Sequence, residues 1–359
     1  MKLQLRYSLT IFLLALLAST HAAISPEVYW KVKLPNTQIP KVIKDFLPQS
    51  DDVVPELKQD NNNIQKKVYY GLSGYIAISW HDAATEEYLR EMELHSNTDT
   101  KEKAATKYDR RVLKKENPSM NCDTNKNELR QVTDDLKDDH PLKQYFLLEE
   151  DLEKGKAISF PSLLNKNEAP FLPRQFVESI PFSMKKISEI LNHFSIDSGS
   201  KDAQAIVKTI KLCEEPEVKH KEKKICATSL ESMVDFSLSM LGTNNILAIT
   251  SEVEGETQKS QRYTIEEVEQ IADGDNMVCH KLNYAYALHY CHVGGSTKTF
   301  MVSMVGDDGT KVKALSVCHK DTSFWNPKAF PFVFLKVKPG TTPICHFLQD
   351  DQIVFVPSK

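Results

Sequence analysis

The sequence predicts an α+β fold in which helices come first and a mainly antiparallel β core follows, stabilised by disulfides. Three observations carry this expectation. Segments between 183 and 242 repeat apolar residues at helical spacing. From Thr299 onward, short β-rich stretches are closed by turn residues. Of the seven cysteines in the 359-residue chain, four lie in the last third, each followed at once by histidine.

Taken in order, residues 1–22 read as a secretory signal peptide. Lys2 and Arg6 are the basic start, Leu9 to Leu17 is the apolar run, and Thr20-His21-Ala22 is a small-residue cleavage site. The run is too short to span a bilayer. The mature product is therefore expected in the secretory pathway with no membrane contact, where disulfides persist. The net charge of −4 is near balance and both signs are interspersed, which argues against a nucleic-acid partner. No Asn-x-Ser/Thr acceptor occurs, because Asn117 is followed by Pro118.

Residues 23–50 form a short N-terminal segment rich in aromatics and prolines, with Tyr29, Trp30, Leu34, Ile39, Ile43 and Phe46. Either this arm lies against the main domain and buries Trp30, or it is a processing or sorting segment without fixed contacts. Residues 51–143 are dominated by charged and amide side chains, too poor in apolar surface to offset their ordering entropy, and read as a largely disordered linker. Cys122 stands alone in it. An aromatic island at 69–80 interrupts it, and its plain reading is a hairpin or a docked strand.

Ser183 can cap a helix over Met184 to Phe194, and Asp202 to Leu212 repeats the pattern. Cys213 and Cys226 flank twelve mostly charged residues. A disulfide closing such a loop contributes about 3 kcal/mol in the chain-entropy model; metal binding by this pair with His220 is the weaker alternative. Ser229 caps another helix, with Leu230, Met233, Val234, Leu238 and Leu241 on one face and Gly242 placed to end it. Thr264-Ile265-Glu266-Glu267 spells a capping box for a short helix ending near Asp273-Gly274. Strands are then expected over Thr299–Val305, Lys311–Val317, Phe332–Val337 and Ile353–Val356. Gly306-Asp307-Asp308-Gly309 and Pro339-Gly340 are the punctuation.

The dipeptides are Cys279-His280, Cys291-His292, Cys318-His319 and Cys345-His346, separated by 10, 25 and 25 residues. Adjacent side chains of a strand point to opposite faces. The four cysteines are therefore expected on one side of the fold and the four histidines on the other. A mixed thiolate–imidazole zinc site needs both side chains to converge, and needs reduced thiols. Two disulfides among Cys279, Cys291, Cys318 and Cys345 fit better, with their pairing unspecified. His280, His292, His319 and His346 then form an imidazole cluster. Such a cluster suits copper, nickel or zinc, and square-planar nitrogen ligation favours Cu(II). The other reading is four hydrogen-bonded structural histidines.

This CH-x10-CH-x25-CH-x25-CH pattern resembles the signature of the plant BURP domain, with a domain expected over 144–359. Gln144 to Leu152 and Gly155 to Phe160 resemble its entry segment. Two positions depart from the family: Glu153-Lys154 stands where His-Pro is usual, and Phe355 where a tryptophan is usual. Val28-Tyr29-Trp30 with Leu34 to Pro40 resembles the N-terminus of the unknown-seed-protein (USP-like) type.

The resemblance implies a secreted or vacuolar, non-enzymatic protein of seed or plant development or stress response, with partners in the cell wall or protein storage vacuole. Some members are copper-dependent, which implies a copper site at the four histidines. A second implication is a copper-dependent autocatalytic peptide cyclase that modifies its own chain. Tyr75 and Trp80 of the island are its candidate crosslinking residues. No Tyr or Trp occurs between Tyr145 and Tyr263, near the usual place of such a core. A third is a wall-associated subunit like the non-catalytic polygalacturonase β-subunit, whose upstream aromatic repeats are missing here. No hydrolase nucleophile, phosphate-loop or dinucleotide motif is present.

Overall fold

A computed structural model describes residues 24–47, 145–160, 162–164, 169–217, 222–254, 260–294 and 296–358. The stretches read above as signal peptide and as linker with its island, together with Tyr75, Trp80, Cys122 and His220, lie outside the described residues.

The chain begins with helix α1 (Pro26–Lys33), whose cap Ser25 accepts a hydrogen bond from the amide of Val28, and the short α2 (Lys41–Asp45). Strands β1 (Phe146–Leu148) and β2 (Ala157–Phe160) come next, ahead of the main helices. Helices α3 (Arg174–Val177), α4 (Ile187–His193) and α5 (Lys201–Glu214) follow, with a 3-10 turn at Met184–Lys186. Strand β3 (Glu222–Ala227) separates α5 from α6 (Leu230–Leu241). Helix α6 starts and stops where its residues predict. Ser229 accepts from the Ser232 amide, and Gly242 closes the helix at φ 66°, a left-handed conformation that costs glycine little.

Strands β4 (Ile246–Ile249), β5 (Glu252–Val253), β6 (Gln261–Gly274), β7 (Met277–Lys281), β8 (His289–Gly294), β9 (Thr297–Gly306) and β10 (Lys311–His319) build the core. Helix α7 (Phe330–Leu335) and strands β11 (Ile344–Phe347) and β12 (Ile353–Pro357) complete it. A seven-stranded sheet has the order β1-β11-β10-β9-β6-β2, with β5 also pairing β10; a five-stranded sheet has the order β3-β8-β7-β12-β4. Neighbouring strands are antiparallel throughout.

Two elements differ from expectation. The capping box at Thr264 opens no helix: residues 261–274 are strand β6, paired with β9 from Tyr263↔Gly306 to Gly274↔Thr297. Tyr263 and Ile265 are buried on one face of it. A local cap is worth about 1 kcal/mol, and the long ladder with its buried face outweighs it. The apolar run at Phe332 is helix α7 rather than a strand. Pro331 lies in its first turn, where a fixed φ suits a helix, and Lys336 ends it at φ 56° with its amide bonded to the Phe332 carbonyl. Short apolar runs carry no periodicity that separates the two states.

The sheets pack face to face. Val278, Val354 and Val356 of one meet Leu315 and Val317 of the other. The outer face of the seven-stranded sheet is covered by a cluster that includes Phe330 and Phe332. The outer face of the five-stranded sheet packs on α6 and on the N-terminal arm, through Leu230, Met233, Val234, Trp30 and Leu34. Trp30 is fully buried, and its ring lies 5.9 Å from that of Phe355.

Candidate functional site

Strand alternation positions every member of the site. On β10, Val312, Ala314 and Cys318 face outward, while Leu315, Val317 and His319 face the other sheet. On β7, Met277 and Cys279 face outward, while Val278 and His280 face inward. The registers then place cysteine opposite cysteine: Cys279↔Cys291 between β7 and β8, and Cys318↔Cys345 between β10 and β11. Both pairs are disulfides, with Cα–Cα distances of 4.0 and 3.9 Å. A third disulfide joins Cys213 to Cys226 at 5.6 Å.

The expectation that four cysteines gather on one side is corrected here. They form two cystines on the outer faces of two different sheets. The dipeptides are divided between sheets that pack face to face, so their outward sides diverge and only their inward sides converge. The histidines occupy that inward space. His280 and His292 come from the five-stranded sheet, His319 and His346 from the seven-stranded one, and all four are buried.

The rings form a closed set. Centroids lie 5.4 Å apart for His280–His292, 6.1 Å for His292–His319, 5.6 Å for His319–His346 and 5.7 Å for His346–His280. His292 and His319 are within 7° of parallel, His319 and His346 within 15°. His280 Nδ1 is 2.6 Å from Gln352 Oε1, and His292 Nδ1 is 2.7 Å from Glu222 Oε1. A carboxylate oxygen and an amide oxygen only accept, so both Nδ1 atoms carry the hydrogen. With both rings neutral, both Nε2 atoms present lone pairs, and they face each other at 3.3 Å. A proton or a cation between them resolves that opposition.

His319 packs edge-on against Trp325 at 5.0 Å, and His346 lies 6.1 Å from Phe146. Burial drives the His319 imidazole well below its ordinary pKa, and the neighbouring His292 adds to this. Burial does the same to His346, reinforced by His319, His280 and His292. A second buried histidine environment lies nearby. His289 stacks on Phe171 at 5.5 Å, and burial, followed by the charge of Lys281, depresses its pKa.

The donor set suits a borderline transition-metal ion. Two imidazole nitrogens bound to one ion at ~2.0–2.1 Å stand about 3 Å apart, and the His280–His292 spacing matches that. Hydrogen bonds from the opposite ring nitrogens to Glu222 and Gln352 are the usual means of orienting ligating histidines. His319 stacks on His292 and His346 on His319, which sets these two rings beside the pair. Among the described residues, no group of three or more His, Cys, Asp or Glu side chains already converges as a metal cage.

Glu222, Gln352 and Trp325 were not legible as site residues. Glu222 sits in a charged stretch, and only the pairing of β3 with β8, Lys224↔His292, brings it to the imidazole. Gln352 precedes β12 on the parity of Val354 and Val356, a signal visible only once that strand's inward face is known. Glu153 and Lys154 line a separate groove of about 990 Å³ with Glu252, Glu266, Lys311 and Lys313. No helix among the described residues is long and apolar enough to cross a membrane.

Fold and site together define a disulfide-bonded α+β domain whose Cys-His dipeptides send cystine outward and imidazole inward. The family model described as BURP domain matches residues 145–357. The chain belongs to the BURP-domain family. It is 45% identical over 224 residues to BURP domain-containing protein 3 of Oryza sativa subsp. japonica, covering 61% of this chain and 52% of that protein. It is 42% identical over 222 residues to BURP domain protein RD22 of Arabidopsis thaliana, covering 60% and 56%. The chain thus spans about half the length of these two relatives. With BURP domain-containing protein 5 of the same rice the match is 33% over 340 residues and takes in 94% of this chain and 88% of that protein.

Proposed function

We propose that this chain is a plant protein of the secretory pathway that acts non-enzymatically in seed or plant development or in stress response, and that its imidazole cluster binds copper. The observation that carries the copper reading is the 3.3 Å approach of two Nε2 atoms whose Nδ1 atoms are both held by acceptors. His280, His292, His319 and His346 would hold the ion, which when bound supplies one-electron redox chemistry and Lewis acidity. Glu222 and Gln352 keep the Nδ1 protons in place and aim the Nε2 atoms inward. Burial keeps His319 and His346 neutral, the state a ligand needs. Three cystines support an oxidising address, extracellular, in the cell wall, or in the protein storage vacuole. Relatives in rice, Arabidopsis thaliana, Triticum aestivum and Brassica napus support the plant setting.

The test is Cu(II) titration of the disulfide-intact protein by calorimetry, with electron paramagnetic resonance to count nitrogen ligands. One ion per chain is expected, with binding lost in His280→Ala and His292→Ala. Affinity equal in wild type and both variants would make the histidines structural. The same sample in air reads the cyclase alternative. Copper-dependent loss of two hydrogens from the peptide carrying Tyr75 and Trp80 would establish self-modification.

A further inference from the structure

Residues 24–47 precede the region matched by the family, yet they pack into its core. Trp30 enters the core beside Phe355, and its Nε1–H donates to the Thr37 carbonyl at 2.9 Å, which folds the segment into a hook. Thr37 Oγ1 donates to the Ile246 carbonyl on β4 at 2.6 Å. The Tyr29 hydroxyl donates to Asp235 of α6 at 2.5 Å; Arg174 bonds the other oxygen of that carboxylate at 2.7 Å and lies 5.2 Å over the Tyr29 ring. At the far end, the Phe171 amide donates to the Phe46 carbonyl at 2.9 Å, and Lys281 Nζ sits 3.7 Å from the Phe46 ring centroid. The segment contains no cysteine, so none of this attachment is covalent.

We propose that the face built by α6, β4 and β12 is a peptide-binding site loaded in cis by residues 24–47, and that this segment stays bound as a separate chain when the polypeptide is cut between 48 and 144. The ligand class is a short N-capped helix carrying an adjacent Tyr-Trp pair, then a hook residue at Thr37 and apolar anchors at Ile39 and Ile43. Trp30 supplies what a hot spot requires: a large aromatic, fully desolvated, with its polar atom bonded, ringed by weaker contacts. Val28 and Val32 remain exposed on the outer side of α1, so recognition runs along one face only.

The test uses the full chain, disulfides intact, with a site-specific protease sequence introduced between 48 and 144. After cleavage, size exclusion and native mass spectrometry should find the N-terminal fragment still bound. A fluorescent synthetic peptide of residues 24–47 should exchange into the cut protein. An unlabelled peptide with Trp30→Ala should compete at least ~30-fold less well. A Lys41→Ala peptide should compete like the parent, because Lys41 is 89% exposed. The substitutions sit in the peptide, so misfolding of the domain cannot mimic the result. Immediate loss of the fragment with an unchanged melting temperature would overturn the proposal, as would equal competition by the Trp30→Ala peptide.

Discussion

His280 and His292 each rest one ring nitrogen on an acceptor and turn the other toward its neighbour, whereas His319 and His346 pack against Trp325 and Phe146. Both pairs come from the same dipeptide and both stand in front of a cystine. The sheet that carries the first pair brings Glu222 on β3 and Gln352 beside β12; the sheet that carries the second brings aromatic rings. A repeated motif therefore sets which face an imidazole occupies, and the flanking elements set what it can do there.

Among substitutions, the largest effect should come from removing the cystine behind either pair. Paired alanine substitutions at Cys318 and Cys345, which close a 27-residue separation, should cost about 3.5 kcal/mol in the chain-entropy model, and those at Cys279 and Cys291, with a separation of 12, about 3 kcal/mol. Guanidinium unfolding of the two double variants measures the difference. A much smaller loss for one would mean its strands hold register without the bond.

Next in size, Glu222→Ala should weaken Cu(II) binding ~10–100-fold by releasing the His292 ring. Trp325→Ala should leave affinity close to wild type while lowering the melting temperature. Equal losses of affinity in the two variants would erase the distinction between the halves.

A pH series on the metal-free protein separates them further. The His319 and His346 pKa values are depressed in the folded state, so below about 6.5 the unfolded chain binds more protons than the folded one. That stability is fully present above about 6.5 and is lost as the pH falls, by up to ~1.4 kcal/mol per pH unit for each such histidine. Buried His289 adds to the loss with the same sign. Thermal melts from pH 7.5 down to pH 5 should show this slope, and His346→Asn should flatten it. Smallest of all, Tyr29→Phe should cost about 1 kcal/mol in the arm and leave copper binding untouched.

Much of this was legible in the residues. Period-two alternation placed cysteine and histidine on opposite faces, and Ser229 with Gly242 bounded α6 to the residue. Parity names a face, however, and not a sheet. Nothing in the spacing of the dipeptides said that His280 and His319 belong to different sheets, so the divergence of the cystines was hidden. Thr264 misled because a four-residue cap is a local signal and β9 is a distant one. Glu222 and Gln352 stayed invisible because each reaches its imidazole through pairing that sequence distance does not encode.

The placement of cystine and imidazole on adjacent residues also bears on how the chain reaches its native state. A slip of one residue in β7–β8 or β10–β11 would turn the thiols inward and the imidazoles outward. In such a chain Cys279 would no longer face Cys291, nor Cys318 face Cys345. Each of these bonds therefore closes only on the strand pairing that also assembles the histidines, so the cystines hold the register on which the imidazole cluster depends.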